Sequence, residues 1–478
     1  MDIFSYKFFI IWMLAFLCYY SVGRKYQWQI LTGVSIIFYA FSIQKFPTVL
    51  VVVWIITHFS ARYIAKSMGV TRKICFWLTI VVSIGILITG RVTGLFALLG
   101  NSYFVLKAIG YLIDVYRETS EEKNIFKYLL YLIYWPTVFE GPFNRISDFL
   151  ANFTNSIQYD YENLAHGVQR FIWGSFKKLV IAERLAVVVN NILTDPSGKG
   201  GQYVIMAVLA YAIQLYADFS GFMDMMLGVS QTFGIKLPEN FKQPYFSKSI
   251  PEFWRRWHIT LGLWFRDYVM FPFTSCAPVK GVAKKIRKRN KSLGKLLPLL
   301  VGTCIVWILT GLWHGFSKNY LVWGLYYACL MCLSQIYNSM KKKPIDSKNP
   351  IGLGIINCIA IFKTVILVLI ADTIICVQGL GAVKVIWKEI LFNFRGGEIT
   401  AILTDNFVIE DMIIVFIGVV LMLIISLLKE KEYVPQVLLD NTPLLIRWAV
   451  YYVLIFSILI YGLYGMQYDT SQFLYMQF

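Results

Sequence analysis

Apolar positions in this chain do not alternate with polar ones; they run together. Runs cover residues 8–20, 30–43, 49–64, 74–88, 126–139, 201–216, 296–313, 320–340, 351–371, 412–428 and 445–463. A bilayer-crossing helix takes about 20 mostly apolar residues. The pattern therefore predicts an all-α polytopic membrane protein, residues 1–478 forming a single membrane-embedded domain of about ten to twelve transmembrane helices. The first run ends without a small-residue cleavage site and another follows at once, so it reads as a span and not as a cleaved leader.

Composition supports this. Hydrophobic residues make up 58% and charged residues 15%, against about a quarter charged in soluble domains. The net charge of +18 would suit a nucleic-acid binder, but its distribution excludes one. The basic residues sit in short loops between spans, which is the positive-inside pattern. The densest stretches are "KGVAKKIRKRNKSLGK" at 280–295 and "KKKPIDSK" at 341–348. Both read as cytoplasmic anchors that favour anionic lipid, with a ligand patch as the alternative. Counting spans from them puts the hinge "HGFSKN", 314–319, on the outer side and both termini outside the cytoplasm. The eight cysteines are scattered through apolar segments. Cys329 and Cys332 form the one close pair, with no second pair or histidine near, so no metal site is expected.

Ionisable groups inside a membrane are costly and are functional candidates by default. The chain has four histidines. His58, in "WIITHFS" near a span end, reads as interfacial, and His166, in "YENLAHGVQRF", reads as structural. His314, in "LTGLWHG", closes an apolar run beside Trp313 and Gly315. His258 lies in "SKSIPEFWRRWHITLGLWFRDYVMFPF". Ser249 and Glu252 there have capping-box spacing, with Pro251 suited to a first turn. One helix is expected to start at Ser249 and to carry Trp254, His258, Leu261 and Phe265 on a single face. Arg255, Arg256 and Arg266 fall on the neighbouring face, either as interfacial anchors or as donor-side groups. Upstream, Asp218 and Asp224 sit six apart in an apolar run. They are expected to cap broken helices or to pair with arginines. Pro238, Asn240 and Pro244 then break any helix. Irregular backbone at membrane depth needs protein or water to cover it, so re-entrant or interfacial segments around a central cavity are expected here.

These stretches resemble the membrane-bound O-acyltransferase family, in its bacterial branch that serves alginate O-acetylation and the D-alanylation of teichoic acid. The likeness rests on "FVLKAIGYLIDVYRE" (104–118), "YWPTVFEGPFNRISDF" (134–149), the block 216–272 and "LTGLWHG" (309–315). One departure is Glu140 before Gly141, where the family usually has Ala-Gly-Pro. The resemblance divides the chain into N-terminal helices (1–100), a motif-bearing core (100–330) and C-terminal helices with an extracytoplasmic tail (331–478). It implies that His314 is the intramembrane catalytic histidine and His258 the second motif histidine. Trp313, Arg255, Arg256, Asp218 and Asp224 would line the cavity or meet the donor. "FLYMQF" at 473–478 is similar to a terminal pattern of related acyl-export systems, which implies Tyr475 as an acyl relay. An interfacial aromatic is the plainer reading of Tyr475.

The function expected on this basis is transfer of an acyl group, acetyl first, to an extracellular or cell-wall polysaccharide. The donor would be cytoplasmic acetyl-CoA or a carrier-protein thioester, with no bound cofactor. The implied partners are membrane lipid and an extracellular acyltransferase, with no nucleic acid. D-alanyl or other acyl transfer to teichoic acid or lipid is the second reading. A polysaccharide or solute transporter is a third, but internal repeats of the kind transporters carry are not visible: "FWRRWH" and "WHG" each occur once.

Overall fold

The computed structural model describes residues 3–21, 25–42, 47–93, 100–138, 140–340, 350–394, 399–404 and 407–464. Among them the secondary structure is helical, apart from one isolated antiparallel bridge between Thr404 and Phe407. Eight helices are long and apolar enough to cross a membrane: Thr48–Lys66, Gly69–Gly90, Gly201–Thr232, Lys291–His314, Lys318–Met340, Gly354–Ile375, Ile409–Glu430 and Leu444–Tyr461. The remaining apolar runs fold as shorter helices, including Tyr6–Ser21, Gln27–Ser42 and Ile125–Ile133. The outward faces are fit for hydrocarbon. Phe416, Ile417 and Ile413 on one helix are each more than half exposed. A soluble protein would not leave such a contiguous stripe in water, so the chain is a multi-pass membrane protein.

The helices divide into two compact units. The first comprises residues 1–176, 219–238 and 439–477. At its centre Tyr161–Phe176 crosses the C-terminal half of Gly201–Thr232 with backbone against backbone. A Cβ on Gly167 would stand 2.6 Å from the Gly228 carbonyl oxygen, and one on Gly174 would stand 2.5 Å from that of Gly221. Between these glycines Arg170 Nε donates to Asp224 Oδ1 at 2.8 Å. Trp12 and Tyr20 fasten the first helix through Thr232, whose hydroxyl and carbonyl accept at 3.1 Å each. Phe8, Phe38 and Trp135 fill the space beneath. His58, expected at the interface, is instead buried against the Tyr128 ring, and His166 pairs with Asp440 at 2.6 Å.

The second unit comprises residues 177–218 and 239–438. Its backbone is the antiparallel hairpin of Lys291–His314 and Lys318–Met340. Gly311 and Gly324 let these helices touch: a Cβ on either would lie within 2.6 Å of a carbonyl oxygen of the partner helix. Asn319, buried at the start of the second helix, donates to the carbonyls of Ile374 and Val377 and so ties the hairpin to Pro350–Ile375. The π-helical stretch Lys177–Ala182 holds Lys178 between Glu183 (2.5 Å) and Asp218 (2.6 Å).

Candidate active site

Helix Ile250–Arg256 begins as the sequence predicts. Ser249 is its N-cap and accepts from the Glu252 main-chain N–H at 3.4 Å. The Glu252 carboxylate reaches one residue further back than a standard box, to the Lys248 N–H at 3.0 Å. The expected single helix does not continue. It ends at Arg256, and a second helix, Ile259–Phe265, starts beyond His258. His258 sits between them with φ 44° and ψ 50°, in the left-handed region. A non-glycine residue there is uncommon and costs on the order of 1–3 kcal/mol. The face shared by Trp254, His258, Leu261 and Phe265 therefore does not form.

Asn240 holds this corner. Its Oδ1 accepts from the Thr260 main-chain N–H (3.1 Å) and the Thr260 hydroxyl (2.9 Å), and it lies 3.1 Å from His258 Nδ1. Its main-chain carbonyl accepts from the Ile259 N–H at 3.0 Å. Because Thr260 N–H can only donate, the atom facing it is an acceptor, so the proton between Asn240 and His258 belongs to Nδ1. The tautomer of His258 is thereby set, with Nε2 as its basic nitrogen. Burial, reinforced by the neighbouring His314 imidazole, pushes His258 well below the ordinary histidine range. The ring is neutral at physiological pH. Asn240 was legible in the sequence only as a helix breaker; its clamp role depends on residues 18 and 20 positions away.

His314 ends the first helix of the hairpin and is 8% exposed. Aromatic rings enclose it: Trp313 at 4.9 Å, Trp323 at 5.2 Å and, stacked, Tyr320 at 6.0 Å between centroids. The Trp313 ring also stands 6.0 Å from that of His258, so one indole touches both histidines. Gly315 follows because nothing larger fits. A Cβ there would meet the Tyr320 ring at 2.7 Å. Below Trp323 the cluster continues through Tyr327, Trp307 and Trp254, packed edge to face or stacked.

The other predicted residues divide. Arg255 is exposed. Arg256 is bound by its own chain: Glu430 takes it through two contacts, 2.6 and 3.1 Å, and Glu252 through a third at 2.8 Å. Its expected role toward donor phosphates thus meets two carboxylates already in place. Neither Asp218 nor Asp224 caps a broken helix, because Gly201–Thr232 runs through both. Asp224 pairs with an arginine, as expected, and belongs to the first unit; Asp218 pairs with Lys178. Tyr475, like the basic stretch 341–348, lies outside the described residues. The irregular segment 243–246 borders an apolar cavity of about 440 Å³, shared with Tyr216, Phe362 and Met422.

Neutral imidazole in a water-poor aromatic enclosure is suited to taking a proton from a hydroxyl and returning it to a leaving group. Residues 16–371 match the profile of the membrane-bound O-acyltransferase (MBOAT) family. The probable alginate O-acetylase AlgI of Pseudomonas fluorescens is 32% identical over 66% of this chain, and the match spans 62% of that protein's length. The teichoic acid D-alanyltransferase of Bacillus subtilis is 29% identical over 52% of this chain and 62% of its own. The peptidoglycan O-acetyltransferase of Helicobacter pylori is 30% identical over 51% and 49% respectively.

Proposed function

The chain belongs to the membrane-bound O-acyltransferase family, and on that premise we propose that it moves an acyl group from a cytoplasmic thioester across the bacterial cell membrane for O-acylation of an extracellular or cell-wall polysaccharide. Acetyl is the first choice of acyl group, and acetyl-CoA or a carrier-protein thioester the donor. The observation that carries this reading is the pair of buried histidines flanking Trp313. His314 acts as general base. It takes the proton of the acceptor hydroxyl as that oxygen attacks the thioester carbonyl carbon. The C–S bond then breaks, and the imidazolium returns the proton to the departing sulfur. Such a base contributes about 10²–10⁴-fold. His258 lies beside it with a fixed tautomer and shapes the site electrostatically; Trp313 separates the two. Arg255, exposed and beside this corner, is the donor-side cation.

The acceptor reached first is Tyr475, whose phenolic ester is passed to an extracellular partner acyltransferase. The loop at 280–295 faces the cytoplasm in this scheme, and both termini face outward. Mass spectrometry of the C-terminal peptide from active cells tests the relay. An acyl adduct on Tyr475 that disappears in Tyr475→Phe is the expected result; full polymer modification by Tyr475→Phe removes it. The mass of the adduct separates acetyl from the second reading, D-alanyl, which the Bacillus relative favours.

A further inference from the structure

The cavity bordered by 243–246 lies wholly within the second unit and opens sideways. Phe362 and Val365 of helix Pro350–Ile375 form one wall, and Val419, Met422 and Leu423 of helix Ile409–Glu430 form another. Phe362 is 68% exposed and Leu423 49%, on faces fit for hydrocarbon. What enters between these two helices therefore comes from the bilayer.

Polar groups are few here, and three of them lack partners. Gln243 lines the cavity, is 8% exposed, and its Oε1 is buried without a partner among the described residues. Its backbone is left-handed, φ 42° and ψ 63°, a costly setting for a non-glycine residue and one that clusters at ligand clamps. Lys363 follows Phe362 on an exposed face of an otherwise apolar helix, and Lys429 lies one turn beyond Ser426, which also lines the cavity. Among the described residues neither ammonium has a hydrogen bond or an ion pair.

Water accounts for part of this. A buried water needs two to four polar partners, and the Tyr245 hydroxyl is already spent on the Ala212 carbonyl at 2.9 Å. One water fits beside Gln243, but water does not fill about 440 Å³ of apolar space. The acyl donor is water-soluble and arrives from the aqueous phase, whereas this opening faces lipid. A hydrocarbon chain needs no partner and is the solvent at the mouth. Charge then selects the head. Two unmatched cations on apolar helices are stabilised by a phosphate within reach. The cavity also touches the corner of His258. The Tyr216 ring in its wall stands 5.6 Å from Tyr245, 5.8 Å from Phe241 and 6.1 Å from Trp257, the residue before His258. We propose that this cavity is a binding site for an anionic phospholipid: one acyl chain fills it from the bilayer, the phosphate sits on Lys363 and Lys429, and the lipid backs the His258 corner without being consumed. In the topology proposed above, its source is the cytoplasmic leaflet.

The test uses the full chain in phosphatidylcholine nanodiscs with a trace of photoreactive lipid. The probe carries a diazirine near one chain end, on either a phosphatidylglycerol or a phosphatidylcholine head. The phosphatidylglycerol probe is expected to label 358–365 and 419–426 at least about fivefold more than the phosphatidylcholine probe, the worth of one cation beside an anionic lipid. Lys363→Gln is expected to remove that difference, and Lys285→Gln, in the basic stretch 280–295, to leave it unchanged. Val419→Trp fills the cavity and is expected to abolish labelling of 358–365. Equal labelling by the two heads, or an equal loss in Lys285→Gln, reduces the effect to general attraction and overturns the site. Labels confined to outward residues such as Ile413 and Phe416 leave the cavity to water and overturn it as well. If Val419→Trp does not fold, the exposed Lys363 decides alone. The amides of Ile259 and Thr260, both held by Asn240, are expected to exchange more slowly when phosphatidylglycerol is added, and unchanged rates overturn the backing role. No acyl transfer is read in these experiments, so their failure leaves the transfer reading standing.

Discussion

The crossing of Tyr161–Phe176 with Gly201–Thr232 and the pocket around His314 are both buried and both contain polar side chains, yet they treat those side chains in opposite ways. At the crossing, backbone meets backbone at two glycine contacts, and the charge of Arg170 is matched to Asp224. Around His314 the walls are rings, and among the described residues Asp372 Oδ2, the Tyr211 hydroxyl and the indole N–H of Trp254 are buried without a partner. A polar group matched within its own chain holds the fold together. One left unmatched in an apolar interior is a cost that folding alone does not explain. The contrast is one of degree, since Gln169 Oε1 on the crossing helix is also buried without a partner among the described residues.

The largest effect that tests this contrast is at His314. His314→Ala is expected to lower acyl transfer at least about 100-fold while the protein still reaches the membrane and melts near the wild-type temperature. A variant that loses fold and activity together would place His314 with the structural groups. Arg170→Ala should do the reverse. It strands a buried carboxylate on Asp224, which is expected to cost about 3–5 kcal/mol, visible as a lower melting temperature in detergent. Activity per folded molecule should stay near wild type. Undiminished stability would mean that the pair contributes nothing and that the contrast between the regions is weaker than drawn.

The smallest effect is in pH. The folded protein holds His258 neutral well below the ordinary value of 6.5, so below that value the unfolded chain binds a proton that the folded one refuses. Stability then rises with pH through the window under 6.5, at most by about 1.4 kcal/mol per unit for one proton, and is level above it. His258→Asn suits the left-handed backbone and carries no titrating ring. It should flatten the melting temperature across that window, and an unchanged slope would show the acid sensitivity to come from elsewhere.

How much of this could be read from sequence follows from the range of the forces involved. The Ser249 cap was legible because it is settled within three residues. The hairpin and His314 were legible because a histidine closing an apolar run stands out against its neighbours. The break at His258 was not, since helix spacing continues smoothly from Trp254 to Phe265, and only Asn240, brought in from the preceding loop, bends the backbone there. The partner of Asp218 was missed for a related reason. Two adjacent lysines at 177 and 178 carry no signal of which acid they will meet, and a π-helical stretch decides it. Asp372 was passed over although a signal existed: an acidic residue one position beyond the apolar run 351–371 lies within reach of the same helix.

The fit of Tyr320 over Gly315 also gives the molecule a clock. The half-buried Tyr320 ring sets one edge against Gly315, 2.7 Å from where a side chain would begin, and stacks on His314, so its half-turns report on that packing. Each half-rotation needs the hairpin tip to loosen for an instant, because a close-packed interior has no spare volume to lend. The flipping rate of Tyr320, followed by fluorine NMR on a labelled ring, therefore counts how often the enclosure around the His314 imidazole opens, and does so without any substrate present.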